Sequence, residues 1–138
     1  MIMEHTAKLR VLIADDNRAT AYGYGKFLEL RGYEVKVVLN GLAALDEVRT
    51  FRPDALLLDV RMPGMSGFDV VHAIRQQPGF ESTLIIIVSG CVDAEETIES
   101  NKGSADYYLL KPIDLSELER TLIDWSEARL RPASESQV

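Results

Sequence analysis

Short apolar runs alternate along the chain with segments in which apolar residues recur at helical spacing. Residues 9–14, 54–59 and 84–89 are almost continuously apolar and have strand length, a pattern typical of strands covered on both faces. Residues 33–38 alternate between apolar and polar side chains, which indicates a strand at the edge of a sheet. A further apolar run ends just before Lys111 and predicts a last strand.

Five segments between and after these runs have the apolar spacing of helices. They are residues 18–31, 42–51, 68–77, 94–102 and 115–128. The alternation predicts an α/β fold, a doubly wound parallel sheet of five strands with five helices. The last helix is the best marked, because Asp114 and Glu117 have the spacing of an acidic capping box. Gly23 and Gly25 conflict with the first helix, since each costs about 1 kcal/mol relative to alanine.

The length of the chain fits a single folded domain. A chain of 138 residues typically buries about two thirds of its unfolded surface in one core, and a second folded domain has no room. We expect residues 1–8 to be a short N-terminal extension and residues 9–128 to form the domain. Residues 129–138 combine Pro, Ser, Glu and Gln with one late valine, which predicts a disordered tail.

Charge and composition exclude several classes of protein. The formal net charge is −7, and the 15 basic residues form no run, so the sequence lacks the basic patch of a nucleic-acid-binding protein. No stretch approaches the roughly 18 consecutive apolar residues of a membrane helix, and residues 1–8 lack the apolar core of a signal peptide. A single cysteine, Cys91, fits a reducing compartment. We therefore expect a cytoplasmic protein.

Polar residues with shared chemistry stand where the predicted strands end. Asp15 and Asp16 follow the first run, Asp59 ends another, and Lys111 follows the last. The carboxyl ends of parallel strands meet at one sheet edge, so these side chains are expected to converge. Mg²⁺ prefers such oxygen ligands. An aspartate can also attack phosphorus if the metal and a fixed cation neutralise the transferring oxygens; Lys111 is that cation, and Ser89 offers a hydroxyl.

Each of these residues also has an ordinary structural interpretation. A single aspartate at a strand end is usually a turn residue or a helix cap, and a single lysine is usually a solvated surface residue. Ser89 alone could be a turn residue before Gly90. The joint placement of three aspartates and one lysine favours a metal-assisted pocket that accepts a phosphoryl group.

Four motifs carry a resemblance to a known family. The sequences VLIADDN, LLLDVRMPGMSGFDVV, IIIVSG and YYLLKPIDL occur in this order, and together they resemble the receiver (REC) domain of two-component response regulators over about residues 9–128. The resemblance implies a flavodoxin-like fold with sheet order 2-1-3-4-5. It also implies dependence on Mg²⁺ and acceptance of a phosphoryl group from a phosphohistidine on a sensor histidine kinase or a histidine phosphotransfer protein. The segments DDNRATA, FRPDALLLD and LLKPIDL are most similar to receivers attached to hybrid sensor kinases.

The resemblance assigns roles to individual residues of this chain. Asp59 corresponds to the phosphoacceptor, with Lys111 and Ser89 contacting the phosphoryl group. The Mg²⁺ ligands correspond to Asp15, Asp16, Asp59 and the backbone carbonyl of Arg61. Tyr108 corresponds to the aromatic residue that switches together with Ser89. The family also implies a cis bond between Lys111 and Pro112.

Three positions depart from the usual family pattern or vary within it. Ser104 stands where the family usually has a glycine before the last strand. Arg61 and Cys91 occupy positions that vary among members and tune dephosphorylation.

The sequence leaves three functions open. The leading hypothesis is a stand-alone receiver, not a turnover enzyme, which catalyses only its own phosphorylation and slow dephosphorylation. It would signal by binding an unknown protein partner. Its output surface would be formed by residues 94–102, the last strand and the last helix. It would be a monomer or a phosphorylation-dependent dimer. The alternatives are a phosphorelay intermediate or phosphate sink, or a receiver excised from a hybrid kinase. A haloacid-dehalogenase-like phosphatase is remote, because that family has a second aspartate where this chain has Arg61.

Overall fold

A computed structural model describes residues 9–90 and 105–130 of the chain. Five parallel strands form one sheet in the order β2-β1-β3-β4-β5. The strands are β1 (Arg10–Ala14), β2 (Glu34–Val38), β3 (Ala55–Asp59), β4 (Leu84–Ser89) and β5 (Tyr107–Leu110). The helices in the described residues are α1 (Arg18–Leu30), α2 (Gly41–Phe51), α3 (Gly67–Arg75) and α4 (Leu115–Leu130).

The sheet confirms the fold predicted from the apolar pattern. The strand order is the 2-1-3-4-5 that the family resemblance implied, and the alternating strand β2 lies at an edge as the apolar pattern predicted. β3 and β4 are buried at every position, as their continuous apolar sequence predicts. None of the described helices has both the length and the apolar character needed to cross a membrane.

Several sequence predictions fall outside the described residues. These are the extension at 1–8, the helix at 94–102, and the side chains of Cys91 and Ser104. The helix predicted at 115–128 is α4, and it continues to Leu130, two residues beyond its predicted end. The first two residues of the predicted tail are therefore helical, and the domain boundaries otherwise stay predictions.

Polar side chains fix where the helices begin. Asn17, Asn40 and Ser66 each precede a helix and accept a hydrogen bond from a backbone N–H of its first turn, which satisfies a donor that has no partner within the helix. Asp114 does the same for α4, because its Oδ1 accepts from the N–H groups of Ser116 and Glu117 at 2.8 and 3.4 Å. The starts of α1, α2 and α3 all lie directly after strand ends or loops at the carboxyl edge of the sheet.

The core has two halves, one on each face of the sheet. One face packs against α2 and α3. The other packs against α1 and α4. Side chains alternate between the faces along each strand, so Leu56 and Leu58 contribute to the first half and Ala55 and Leu57 to the second. The central strands are thereby shielded from water and hold the carboxyl edge of the sheet in place.

Packing explains one of the two glycines in α1. A Cβ at Gly25 would lie 3.3 Å from methyl groups of both Val35 and Val37, so the missing side chain lets α1 approach β2 closely. A Cβ at Gly23 would contact nothing within 4 Å. Nothing in the structure explains Gly23.

Candidate functional site

Three carboxylates meet at the carboxyl edge of the sheet. β1 and β3 are parallel neighbours, so Asp15 and Asp16, which follow β1, lie beside Asp59, which ends β3. One carboxylate oxygen from each residue lies within 4.8 Å of the others. Asp15 and Asp59 are 2% and 7% exposed, whereas Asp16 is open to solvent. The predicted convergence of the three aspartates is therefore present in the structure.

Lys111 brings the positive charge into this cluster. Its Nζ lies 3.1 Å from Oδ2 of Asp15 and 3.4 Å from Oδ1 of Asp59. The backbone N–H of Lys111 donates to the carbonyl oxygen of Ser89 at 2.7 Å, which ties the residue to the end of β4. The bond between Lys111 and Pro112 is cis, as the family resemblance implied. One lysine thus contacts two of the three aspartates.

The turn after β1 holds Asp15 from its other side. Oδ1 of Asp15 accepts a hydrogen bond from the backbone N–H of Asn17 at 2.9 Å, while its Oδ2 contacts Lys111. Asn17 in turn caps α1 through the N–H of Thr20. The start of α1 and the orientation of Asp15 are therefore set by the same short turn, and the sequence analysis did not identify Asn17 as part of the site.

Ser89 and Tyr108 lie on the two strands that follow the Asp59 strand across the sheet. Ser89 is buried at the end of β4, where the neighbouring residue Val88 pairs with Asp59. Tyr108 lies in β5, beside Ile87 of β4, and its partly buried ring packs against the core half that contains α2 and α3. Ser89 therefore lies on the strand beside Asp59 and Tyr108 on the strand after it; their role as a switch stays a prediction.

Burial and like charge disfavour ionisation of Asp59. Burial raises the pKa of the Asp59 carboxyl above its ordinary value of 3.8, and the negative charge of Asp15 raises it further. Lys111 and a hydrogen bond from the backbone N–H of Arg61 act in the opposite direction but do not outweigh these effects. Asp59 therefore carries a charge that the folded protein stabilises poorly.

The same charges act on Lys111 and on a tyrosine of α1. Burial alone would lower the pKa of Lys111, but its hydrogen bond with Asp15 and the charges of Asp59 and Asp15 outweigh burial and raise it. Burial raises the pKa of Tyr24, which also responds to the charges of Lys111, Asp15 and Asp59. Lys111 is thus firmly protonated at neutral pH. Tyr24 is therefore close enough to interact electrostatically with the cluster, and no pattern in the sequence predicts this.

Gly67 positions the backbone of Asp59. A Cβ at this position would lie 2.5 Å from the carbonyl oxygen of Asp59 and 3.2 Å from Cα of Val60. The N–H of Gly67 donates to the carbonyl of Val60 at 3.0 Å, which pulls the start of α3 against the end of β3. Ser66 and Asp69 stabilise this helix start with a reciprocal capping box. The close approach explains why a residue without a side chain is needed here.

The three aspartates fit a hard divalent cation. Carboxylate oxygens are the ligands that Mg²⁺ prefers, and an exposed residue such as Asp16 leaves room for the waters that Mg²⁺ retains. The buried like charges of Asp15 and Asp59 are only partly neutralised by Lys111. A cation between them would relieve the remaining repulsion.

The fold and this cluster together define a class of protein. A doubly wound sheet of order 2-1-3-4-5 with its polar site at the carboxyl edge is the flavodoxin-like arrangement. A family model described as the response regulator receiver domain matches residues 11–123. The chain belongs to the response regulator receiver family, as the sequence motifs indicated.

Known response regulators resemble this chain over their receiver portion. Response regulator MprA of Mycobacterium tuberculosis is 38% identical over 111 residues, which cover 80% of this chain and 47% of that protein. The DNA-binding response regulator MtrA of Mycobacterium bovis is 34% identical over 113 residues, 82% of this chain and 48% of MtrA. The chain therefore spans about half the length of the curated relatives it matches.

Solved receiver structures have the same fold. The chemotaxis response regulator CheY4 of Vibrio cholerae superposes with a TM-score of 0.77 at 30% identity, covering 86% of this chain and 98% of CheY4. The receiver domain of a signal transduction histidine kinase from Syntrophus aciditrophicus gives a TM-score of 0.81 at 26% identity, covering 91% of this chain and 96% of that domain. Similar structures therefore include both a chemotaxis regulator and a receiver from a kinase.

Proposed function

We propose that this receiver accepts a phosphoryl group on Asp59 from a phosphohistidine of a sensor histidine kinase or a histidine phosphotransfer protein. The observation that carries the proposal is the cluster of Asp15, Asp16 and Lys111 around the one carboxylate that ends the central strand. Phosphoryl transfer depends mainly on positioning and on neutralising the oxygens of the transferring group. The cluster supplies both requirements.

Each residue of the site has a separate role in the proposed phosphoryl transfer. A carboxylate oxygen of Asp59 attacks phosphorus and forms an acyl phosphate, while the P–N bond breaks and its electron pair stays on the imidazole nitrogen of the donor. Lys111 neutralises a phosphoryl oxygen, and the hydroxyl of Ser89 donates to another. Asp15, Asp16, Asp59 and the carbonyl of Arg61 would hold Mg²⁺, which when bound neutralises charge on the transferring oxygens.

Phosphorylation of Asp59 is tested by mass measurement. Incubation with acetyl phosphate and Mg²⁺ is expected to add one phosphoryl mass to the wild type and none to Asp59→Asn. Asp46→Asn, which removes the same charge from the exposed face of α2, is the matched control and should be labelled normally. Labelling that persists in Asp59→Asn, or in wild type with EDTA, would place the acceptor elsewhere or remove the metal from the proposal.

The consequence of phosphorylation is a signal rather than turnover of a substrate. The chain belongs to a family of signalling modules, and Arg61 stands where a haloacid-dehalogenase-like phosphatase would have its second aspartate. We propose a cytoplasmic protein, a monomer or a phosphorylation-dependent dimer, that binds a protein partner according to its phosphorylation state. A relay role is the second candidate, supported by the similarity to a receiver from a histidine kinase. Onward transfer of phosphate to a histidine phosphotransfer protein would distinguish the two.

Ser89 and Tyr108 are proposed to couple phosphorylation to the partner surface. Movement of the Ser89 hydroxyl toward a phosphoryl oxygen would vacate space into which Tyr108 can turn. One charge-assisted hydrogen bond is worth roughly 1.5–3 kcal/mol, enough to shift a two-state equilibrium by about tenfold or more. Beryllofluoride, standing in for the phosphoryl group, should shift the β5 amide resonances in the wild type but much less in Ser89→Ala. Equal shifts in both proteins would exclude this coupling.

A further inference from the structure

A second polar cleft lies at the opposite edge of the sheet from Asp59. The end of α2, the starts of β3 and β4, and the end of α4 enclose a space of about 200 Å³. We call it the basal cleft and define it by Arg52, Asp54, Phe80, Trp125 and Arg129. Its walls include two arginines and two aromatic rings, and the phosphoryl-transfer site uses none of them.

Arg52 is held in the basal cleft by an unusual backbone and by packing. It ends α2 with φ 51° and ψ 65°, a left-handed conformation that helices usually assign to glycine or asparagine. Its guanidinium lies over the ring of Phe80, 5.2 Å from the ring centre. Gly79, with φ +95°, leaves space for it, because a Cβ there would lie 3.3 Å from Nη2 of Arg52. The guanidinium is therefore pre-positioned, which lowers the entropy cost of using it to bind a ligand.

Arg129 approaches the basal cleft from α4. Its guanidinium lies 4.6 Å from the ring centre of Trp125, and its Nη1 lies 3.3 Å from Oδ1 of Asp54. Oδ2 of Asp54 accepts from the backbone N–H of Arg10 at 2.9 Å, so this carboxylate is fixed as well. Asp54 thus neutralises one of the two arginines.

Arg52 is the guanidinium of the basal cleft that is free to bind an anion. Two guanidiniums and one carboxylate line the cleft, and no ion pair of Arg52 is present among residues 9–90 and 105–130. The nearby Glu81 carboxylate is instead engaged by the backbone N–H of Gly79, which donates to its Oε1 at 3.1 Å. The protein as a whole carries a formal net charge of −7. A guanidinium presents a planar fork of donors that matches the oxygens of phosphate and carboxylate groups.

We propose that the basal cleft binds the oxyanion group of a small molecule, a phosphate or a carboxylate, between Arg52 and Arg129. The stacked rings hold the two guanidiniums, and Asp54 limits the affinity because its carboxylate competes for Arg129. The site lies at the amino end of β3, whereas the acceptor Asp59 lies at the carboxyl end of the same strand. Binding in the basal cleft is therefore independent of the phosphoryl-transfer proposal.

The fluorescence of Trp125 reports on this site, because Trp125 is the only tryptophan of the chain and the guanidinium of Arg129 lies over its ring. Inorganic phosphate and citrate are titrated separately while tryptophan fluorescence is recorded, and sodium chloride at matched ionic strength is the control. The full chain is used with the substitution Asp59→Asn after metal removal on a chelating resin, which keeps phosphate and metal chemistry at the other edge out of the measurement and adds no competing carboxylate. A saturable change with phosphate, citrate or both, but not with chloride, is expected. The anion that saturates at lower concentration identifies the ligand chemistry.

Three variants separate binding from folding. Arg52→Gly removes the guanidinium but suits the left-handed backbone, so a loss of binding cannot be ascribed to unfolding. It should weaken binding roughly tenfold or more, as expected for a lost charge-assisted hydrogen bond. Asp54→Asn keeps an acceptor for the Arg10 N–H but removes the competing charge, so it should tighten binding. Arg31→Gln is the matched control, because Arg31 also stacks on an aromatic ring, that of Phe27, but lies outside the basal cleft.

The direction of the Asp54→Asn effect makes the test decisive. A merely structural role for Asp54 predicts unchanged or weaker binding in that variant, whereas an anion site predicts tighter binding. A saturable response that Arg52→Gly weakens, Asp54→Asn strengthens and Arg31→Gln leaves unchanged supports the proposal. A response equal to that of chloride, or one unaffected by Arg52→Gly, overturns it. Loss of phosphorylation at Asp59 would contradict the proposed function and leave this result untouched.

Discussion

The acidic cluster should destabilise the metal-free protein, and Asp59→Asn should therefore raise its free energy of unfolding. Above its folded pKa the wild-type Asp59 is charged, although burial and the charge of Asp15 disfavour that charge. A carboxyl whose pKa is raised by folding contributes stability that is complete below its unfolded pKa and is lost as pH rises through its folded pKa. Asparagine has the shape of the aspartate without its charge, so it avoids this loss.

The magnitude follows from the distances in the cluster. With an effective dielectric constant of about 20, a carboxylate at 4.8 Å repels Asp59 by at least about 3.5 kcal/mol, and this applies to both Asp15 and Asp16. The attraction between Lys111 Nζ and Asp59 Oδ1, which are 3.4 Å apart, offsets this repulsion by about 4.9 kcal/mol at the same dielectric constant. Asp16 is exposed, so water and salt reduce its share. We expect a net gain of about 1–2 kcal/mol for Asp59→Asn in the absence of divalent cations.

Urea unfolding measures this gain. At neutral pH in EDTA the unfolding midpoint of Asp59→Asn should lie above that of the wild type, with an unchanged slope. The difference should shrink as pH falls through the folded pKa of Asp59, because the wild-type carboxyl then becomes neutral. Saturating Mg²⁺ should stabilise the wild type more than the variant, since it binds the native site. Asp46→Asn is the charge-matched control with little expected effect. A lower midpoint for Asp59→Asn in EDTA would refute the reasoning.

Three further outcomes test other contacts. Gly67→Ala should slow labelling of Asp59 by acetyl phosphate and lower stability, because its Cβ would meet a backbone oxygen at 2.5 Å; labelling at the wild-type rate would contradict this. Gly23→Ala should raise the free energy of unfolding by about 0.5–1 kcal/mol, whereas Gly25→Ala should gain less because its Cβ meets two valines at 3.3 Å; thermal unfolding of both compares them. In EDTA, an NMR titration of the Asp59 carboxyl should give a midpoint above 3.8, since burial and Asp15 raise its pKa in the metal-free protein; a midpoint below 3.8 would oppose it.

The sheet and the main site could be predicted because both follow from local patterns. β3 and β4 are buried on both faces, so their sequences had to be apolar throughout, and β2 alternates because it lies at an edge. Parallel strands end at one edge, so the residues that follow them meet there. That rule predicts that Asp15, Asp59 and Lys111 converge.

The site and packing features that the sequence does not predict are contacts between segments that are distant in sequence. The contact of Gly67 with the carbonyl of Asp59, and of Gly25 with β2, arises only when helices dock on the sheet. The apolar periodicity of the sequence does not predict either contact, and a glycine in a predicted helix indicates only a lower helix propensity. Tyr24 was missed for the same reason, since only the docking of α1 on the sheet brings it close enough to feel the charges of Lys111 and Asp15. The pairing of Arg52 with Phe80 likewise joins the end of α2 to the loop before β4.

The poor stabilisation of Asp59 is itself an argument for its role. A site selected only for stability would replace one of two adjacent buried carboxylates, since Lys111 cannot neutralise both. A cation bound between the carboxylates would relieve the repulsion retained at this edge of an otherwise apolar sheet. Transfer of a phosphoryl group would instead add negative charge to the cluster, so the metal and Lys111 would both be needed to neutralise it. The same repulsion that lowers the stability of the metal-free protein therefore strengthens its response to a divalent cation.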